Sequence, residues 1–196
     1  MASEIPPLVV ANVAAWRKWL DKQHAASTGV WLLLAKQGTA KPTRLTYDEA
    51  LEEALRYGWI DGQTRRADDT TYFRRFTPRR PRSVWSKRNV TIVERLIGEG
   101  RVHAAGLAEV ERAQADGRWD AAYAGSKHIE VPADFAAALR ANRKAQAMFD
   151  QLSRQNRFAF LYRIGEAKRA DTRARRISQF VEMLARGETI HPQKAS

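Results

Sequence analysis

Cysteine is absent from this 196-residue chain, which excludes disulfides and thiolate metal sites while leaving the redox compartment open. Histidine is scarce. The four present, His24, His103, His128 and His191, have no spacing that suggests metal ligation, so neither a metal site nor a cofactor is expected. Long apolar runs are missing too: no segment approaches the roughly 20 apolar residues of a membrane helix, and no membrane span is expected. The start, MASEIPPLVVANVAAW, has neither a basic leader nor an apolar run of signal length, which predicts a cytoplasmic protein. Acidic residues are in deficit, 22 Asp and Glu against 34 Lys and Arg, for a net charge of +12. A sequence pI near 10.4 favours contact with polyanions such as nucleic acid or acidic headgroups. The chain has no internal repeat and no low-complexity tract.

What is present suffices for a core: 44% hydrophobic residues, including six Trp. Trp16, Trp19 and Leu20 recur at helical spacing, Ser27-Thr28-Gly29 interrupts, and Val30 to Leu34 reads as a buried strand. Thr46, with Glu49 three residues on, forms a capping-box signature for a helix over Tyr47 to Tyr57 that buries Ala50, Leu51, Ala54 and Leu55. Gly58 stops that helix, and Trp59 begins a strand. Gln63 to Thr77 reads as two polar strands joined near Ala67-Asp68-Asp69, giving a sheet of about three antiparallel strands. Pro78 and Pro81 end ladder pairing, so residues 77–89 are expected to form an ordered loop over the sheet. Helices follow at about Val90–Gly98 and His103–Asp116, with Trp119 as a core plug. Residues 124–132, with Gly125, Ser126 and Pro132, read as a linker. Three more helices are expected at Ala133–Leu152, Asn156–Lys168 and Thr172–Arg186. Their inward residues should be Phe135, Leu139, Ala145 and Phe149; Phe158, Leu161, Tyr162 and Ile164; and Ile177, Phe180, Val181 and Leu184.

The residues from Gly58 to Asn89, GWIDGQTRRADDTTYFRRFTPRRPRSVWSKRN, have the composition of a site. From Gln63 to Arg88 there are nine Lys or Arg against two Asp, so over half of the net charge lies in a short span. Arginine's planar fork matches carboxylate and phosphate oxygens in pairs, and neighbouring Trp or Tyr rings offer faces for a base, a sugar or another guanidinium.

Three motifs in order, GWIDG at 58–62, RFTPRRPRSVWSKRN at 75–89, and AKR-x-x-TR-x-RRI from Ala167 to Ile177, resemble those of the YdeI/OmpD-associated proteins of bacteria, also labelled bacteriocin-protection proteins. The resemblance covers nearly the whole chain. It implies that the C-terminal helical unit is the domain by which the family is defined. It also implies a shared feature formed by Trp59, Asp61, Arg75, Thr77, Arg79, Arg80, Ser83, Trp85, Ser86 and Asn89. No agreed reaction comes with it.

Each residue has a plainer alternative. Asp61 could act as a general base, or simply partner Arg75, Arg79 or Arg80; an arginine neighbour would weaken it as a base. Ser83 and Ser86 beside Lys87 invite a nucleophile reading, but Ser86 or Asn89 is better explained as the cap of the next helix, whose N–H groups would add to an anion site. Trp59 and Phe76 are expected mainly in the core, whereas Trp85, in a polar loop, is the aromatic expected to meet a ligand. The cluster Lys168, Arg169, Arg173, Arg175 and Arg176 is either a solvated helix face or the far side of a basic groove.

The expectation is therefore an α+β protein with a small antiparallel sheet packed with helices over residues 1–123, and a three-helix unit over 124–196. Its arginine-rich loop would bind a small anionic or phosphorylated ligand through Trp59, Arg75, Thr77, Arg79, Arg80, Ser83, Trp85, Ser86 and Asn89. The alternatives are a sequence-tolerant nucleic-acid binder and a small hydrolase or transferase with Asp61 as its catalytic base. Whether it is an enzyme, and its oligomeric state, are not legible.

Overall fold

A computed structural model describes residues 7–125 and 129–193; Ser126 of the expected linker and His128 lie outside them. The chain is α+β and divides into two compact units, Met1–Ala122 and Tyr123–Ser196. In the first, β1 (Pro7–Leu8), β2 (Val30–Ala35), β3 (Trp59–Arg66) and β4 (Thr71–Pro78) form a sheet in the order β1-β2-β4-β3. The expected antiparallel core is present as β2-β4-β3. A fourth strand joins it, because the short Pro7–Leu8 segment pairs parallel to β2. Trp59 to Arg66 form a single strand with a register shift between Asp61 and Thr64.

The helices bury their apolar stripes in two layers. Helix α1 (Val13–Gln23) is capped by Asn12, whose Oδ1 accepts from Ala15 N. Helix α2 (Tyr47–Arg56) carries the capping box between Thr46 and Glu49. Trp16 and Leu20 of α1 and Ala50 and Ala54 of α2 pack against Val30, Leu32, Leu34, Trp59 and Phe76 on one face of the sheet. The opposite side of α2, Leu51 and Leu55, meets Trp85, Val93, Val110, Ala113 and Trp119, which come from the 79–86 loop, α3 (Lys87–Gly98), α4 (Ala104–Ala115) and the turn after α4. Helix α2 is thus apolar on two sides, as a middle layer requires. Trp119 fills the core as its position suggested.

Gly58 connects these layers. Its φ is +72°, and a Cβ there would lie 2.7 Å from Glu109 Cγ and 3.1 Å from the Ala105 carbonyl oxygen of α4. Its own carbonyl accepts from Arg79 N at 3.0 Å, tying the end of α2 to the start of the basic loop.

The second unit holds α5 (Ala133–Arg140), α6 (Arg143–Asp150), α7 (Arg154–Gly165) and α8 (Ala170–Ala185). Four helices replace the expected three. Asn142 breaks the first by turning extended and capping α6 through Ala145 N. Their core comprises Phe135, Leu139, Ala145, Phe149, Phe160, Leu161, Ile164, Ile177, Phe180 and Leu184. Within α7 the expected inward set was partly displaced: Phe160 takes the buried place, while Phe158 and Tyr162 are only half-buried and pack with Tyr123.

Candidate functional site

Alternation along β4 sorts its arginines onto opposite faces of the sheet. Tyr72, Arg74 and Phe76 point to the helix side; Phe73, Arg75 and Thr77 point away from it. The hairpin that fixes this register closes at Asp68, whose carboxylate accepts from the backbone N–H and the hydroxyl of both Thr70 and Thr71 at 2.7 to 2.9 Å. Those bonds, led by the Thr71 hydroxyl, hold the Asp68 carboxyl well below its usual range.

On the helix side, Asp61 sits opposite Phe76 and is an anchor. Tyr47 of α2 donates to its Oδ2 at 2.9 Å, and Arg74 donates from Nε at 3.1 Å and also from Nη2. Arg74 reaches Thr64 as well. Its guanidinium carbon stands 5.0 Å from the Tyr47 ring centroid, and that of Arg88 stands 5.3 Å away. Burial, then the Asp61 charge, pushes the Tyr47 hydroxyl up to about 12. Burial acts against the charge of Arg74, but the Asp61 partnership outweighs it and raises its pKa. The partner of Asp61 is therefore Arg74, not Arg75, Arg79 or Arg80.

The basic loop is not uniformly a surface. Arg79 is 5% exposed and Trp85 1%. The Arg79 guanidinium carbon lies 3.5 Å from the Trp85 ring centroid, and its Nη1 donates to Val84 O at 3.1 Å. Trp85 also packs against Trp119 at 4.8 Å. The ring expected to meet a ligand is in the core because α2, α3 and α4 close around it. Trp59 is in the core beside Trp16 and Trp19, and its Nε1 donates to His24 O at 3.2 Å. Ser86 is the α3 cap, accepting from Asn89 N at 3.2 Å, and Asn89 itself is buried.

Four of the expected residues, Arg75, Thr77, Arg80 and Ser83, line a cleft of about 170 Å³, together with Gly62, Gln63 and Pro78. Sequence reasoning did not single out those last three for ligand contact. Gly62 and Gln63 lie within the irregularity of β3, and its local signal was the glycine following Asp61. Ser83 is held by a tight turn in which Arg80 N donates to its Oγ at 2.9 Å and Ser83 N to Arg80 O at 2.9 Å. Arg118 clamps the turn, donating from Nη1 to Ser83 O at 2.8 Å. Arg75 Nε is buried with no acceptor among the described residues. Among the described residues, Arg66, Arg74 and Arg88 of the basic segment have carboxylate partners in Asp69, Asp61 and Asp48, whereas Arg65, Arg75, Arg80 and Arg82 have none. The cleft is cationic, supplied with hydroxyl donors, and free of carboxylates. No acid or base lines it, and Asp61 lies across the sheet.

Among the described residues, no set of three His, Cys, Asp or Glu is placed to hold a metal, and no helix is long and apolar enough to cross a membrane. Residues 8–109, more than half of the chain, match the model of a family described as a domain of unknown function, DUF8412. The chain belongs to that family. Residues 128–187 match the model described as Bacteriocin-protection, YdeI or OmpD-Associated, which agrees with the family resemblance and contains its third motif, Ala167 to Ile177, whereas the motifs at 58–62 and 75–89 fall in the DUF8412 match. No curated protein matches the chain, and no solved structure does. The cleft residues Gly62, Arg75, Thr77 and Arg80 fall inside the DUF8412 match, and the second basic cluster inside the other.

Proposed function

We propose that the DUF8412 unit binds a small anionic or phosphorylated group in the cleft of Arg75, Thr77, Arg80 and Ser83, in a protein of bacteriocin-protection type. The observation that carries this reading is that Arg75 and Arg80, without carboxylate partners among the described residues, line one cleft, whereas Arg66, Arg74 and Arg88 of the same segment are paired and Arg79 is buried. An uncompensated guanidinium pair costs electrostatic free energy in the empty protein, and an anion relieves it. The Ser83 hydroxyl accepts from Arg80 N and keeps its proton to donate, and Thr77 offers a second hydroxyl. At about 170 Å³ the cleft is smaller than the roughly 300 to 1,000 Å³ of pockets that enclose a whole ligand. It suits one phosphate or carboxylate of a larger molecule that extends beyond it.

Binding fits better than catalysis. A hydrolase or transferase using Asp61 would need that carboxylate beside the cleft, and Asp61 is bonded to Tyr47 and Arg74 on the helix side. The test is isothermal titration of the protein with inorganic phosphate and pyrophosphate, repeated on Arg75→Gln/Arg80→Gln. Saturable binding that weakens at least about tenfold in the variant is expected. Equal affinity in the variant, or no binding by the wild type, would remove the cleft as an anion site.

A further inference from the structure

The cleft opens at one end of the sheet face that α1 and α2 leave uncovered, and the rest of that face is not a neutral surface. Register places Trp31 of β2 directly across from Arg75 of β4, Leu33 across from Phe73, and Phe73 across from Arg65 of β3. Trp31, Arg75, Phe73 and Arg65 therefore share one face in adjacent rows. Arg65 is exposed, and its guanidinium carbon stands 4.7 Å from the Trp31 ring centroid and 4.8 Å from that of Phe73. Trp31 and Phe73 are half-buried. The result is a platform of two rings and a guanidinium, next to a cationic cleft.

We propose that this sheet face binds single-stranded nucleic acid, one phosphate seated in the Arg75/Arg80 cleft and the adjoining base stacked on the Trp31, Arg65 and Phe73 platform. The proposal rests on the reading of the cleft as an anion site and names the molecule that carries the anion. Three features select this occupant. The face is cationic, with Arg65, Arg75 and Arg80 lacking carboxylate partners among the described residues, which complements a phosphate backbone. Two half-buried rings with an exposed guanidinium over them offer faces on which an unpaired base stacks, and every base has such a face, so the binding is sequence-tolerant. A sheet face open beyond a small cleft lets a strand pass across it, whereas the carboxylates of an acidic peptide would engage the arginines and gain nothing from the two ring faces. A duplex, its bases stacked on one another, could reach the arginines but not the platform.

The test is fluorescence anisotropy of a short labelled oligothymidylate, alone and annealed to oligoadenylate, with the full chain, at two salt concentrations, for the wild type, Trp31→Leu and Arg65→Gln. Each variant is first checked by thermal melting, and pyrophosphate affinity is measured in parallel. The expected result is oligonucleotide binding that weakens with salt and falls about tenfold or more in Trp31→Leu, with pyrophosphate affinity unchanged. Should Trp31→Leu melt early, Arg65→Gln, an exposed position, supplies the same comparison. Oligonucleotide affinity unaltered in the platform variants overturns the proposal, as does duplex binding as tight as single-strand binding. Pyrophosphate binding with an oligonucleotide bound no more tightly overturns the nucleic-acid assignment and leaves the anion cleft standing. Failure of both ligands to bind removes both readings.

Discussion

The guanidinium carbon of Arg79 sits 3.5 Å from the centroid of the Trp85 ring, with both side chains buried. One arginine of the Pro78 to Arg82 run is thereby a core component, while its neighbour Arg80 lines the cleft. The pair joins the basic loop to the layer formed by α2, α3 and α4. A desolvated guanidinium on an indole is held by about 2 kcal/mol or more, and removing either partner also opens a cavity.

Arg79→Ala is therefore expected to lower stability by about 2 to 4 kcal/mol, and Arg79→Lys to rescue little, since an ammonium cannot lie flat on the ring. Arg80→Ala should leave stability within about 0.5 kcal/mol and remove anion binding. Urea unfolding of the three variants checks this. Similar midpoints for Arg79→Ala and Arg80→Ala would sink the division of roles.

Asp61→Asn should behave as a fold mutation. It leaves Arg74, 26% exposed in its side chain, without its carboxylate, and weakens the acceptor of the Tyr47 hydroxyl. The expected loss is about 1 to 3 kcal/mol, between the values for exposed and buried pairs. Pyrophosphate affinity, measured below the melting temperature, should change less than about threefold, because the carboxylate faces away from the cleft. A large loss of affinity with unchanged stability would return Asp61 to the site.

Gly58→Ala tests the junction between α2 and the loop. With φ at +72° and the Ala105 carbonyl 3.1 Å from the new Cβ, the substitution combines backbone strain with a contact that helix α4 must yield to. A destabilisation of about 2 kcal/mol or more is expected. Gly98→Ala, in α3 with nothing near its Cβ, should be neutral or stabilising by up to about 1 kcal/mol. Chemical denaturation of the two variants decides it.

Alkali should unfold the protein through half-buried Tyr47 and buried Tyr57. Burial pushes Tyr47 and Tyr57 each up to about 12, aided by Asp61 and Asp21 respectively, while an unfolded tyrosine titrates near 10. A folded pKa raised above the unfolded one gives stability that is whole below pH 10 and is lost as pH rises from 10 to 12. Melting temperature should decline over that window in the wild type. The decline should be shallower in Tyr47→Phe/Tyr57→Phe, which starts lower for want of two hydrogen bonds. Parallel declines would refute this origin.

Much of the first unit was legible in the chain because its signals are local. The Thr46 and Glu49 capping box, a cap at Ser86 or Asn89 that the structure assigns to Ser86, the stop at Gly58 and the hairpin tip at Asp68 each act within a few residues. So did the alternation of Tyr72, Arg74 and Phe76 against Phe73 and Arg75, and the excess of arginine that marked the segment. The break at Asn142 was missed because the apolar stripe continues through it, with Leu139, Ala145 and Phe149 all inward. Phe158 and Phe160 are both apolar, and only packing chose Phe160.

What the sequence by itself determined is the character of the molecule: an α+β chain with a concentrated positive segment, apolar stripes that mark most of its helices, and motifs that resemble the YdeI/OmpD-associated proteins. Tertiary structure decided which arginine does what. Arg74 finds Asp61 and Arg88 finds Asp48, 40 positions away; Arg79 disappears onto Trp85; Arg75 and Arg80, among the described residues, are left without carboxylates around one cleft. Composition treats these side chains alike, because a guanidinium's role depends on the groups that desolvate or neutralise it, and those arrive from distant parts of the chain only when the layers close.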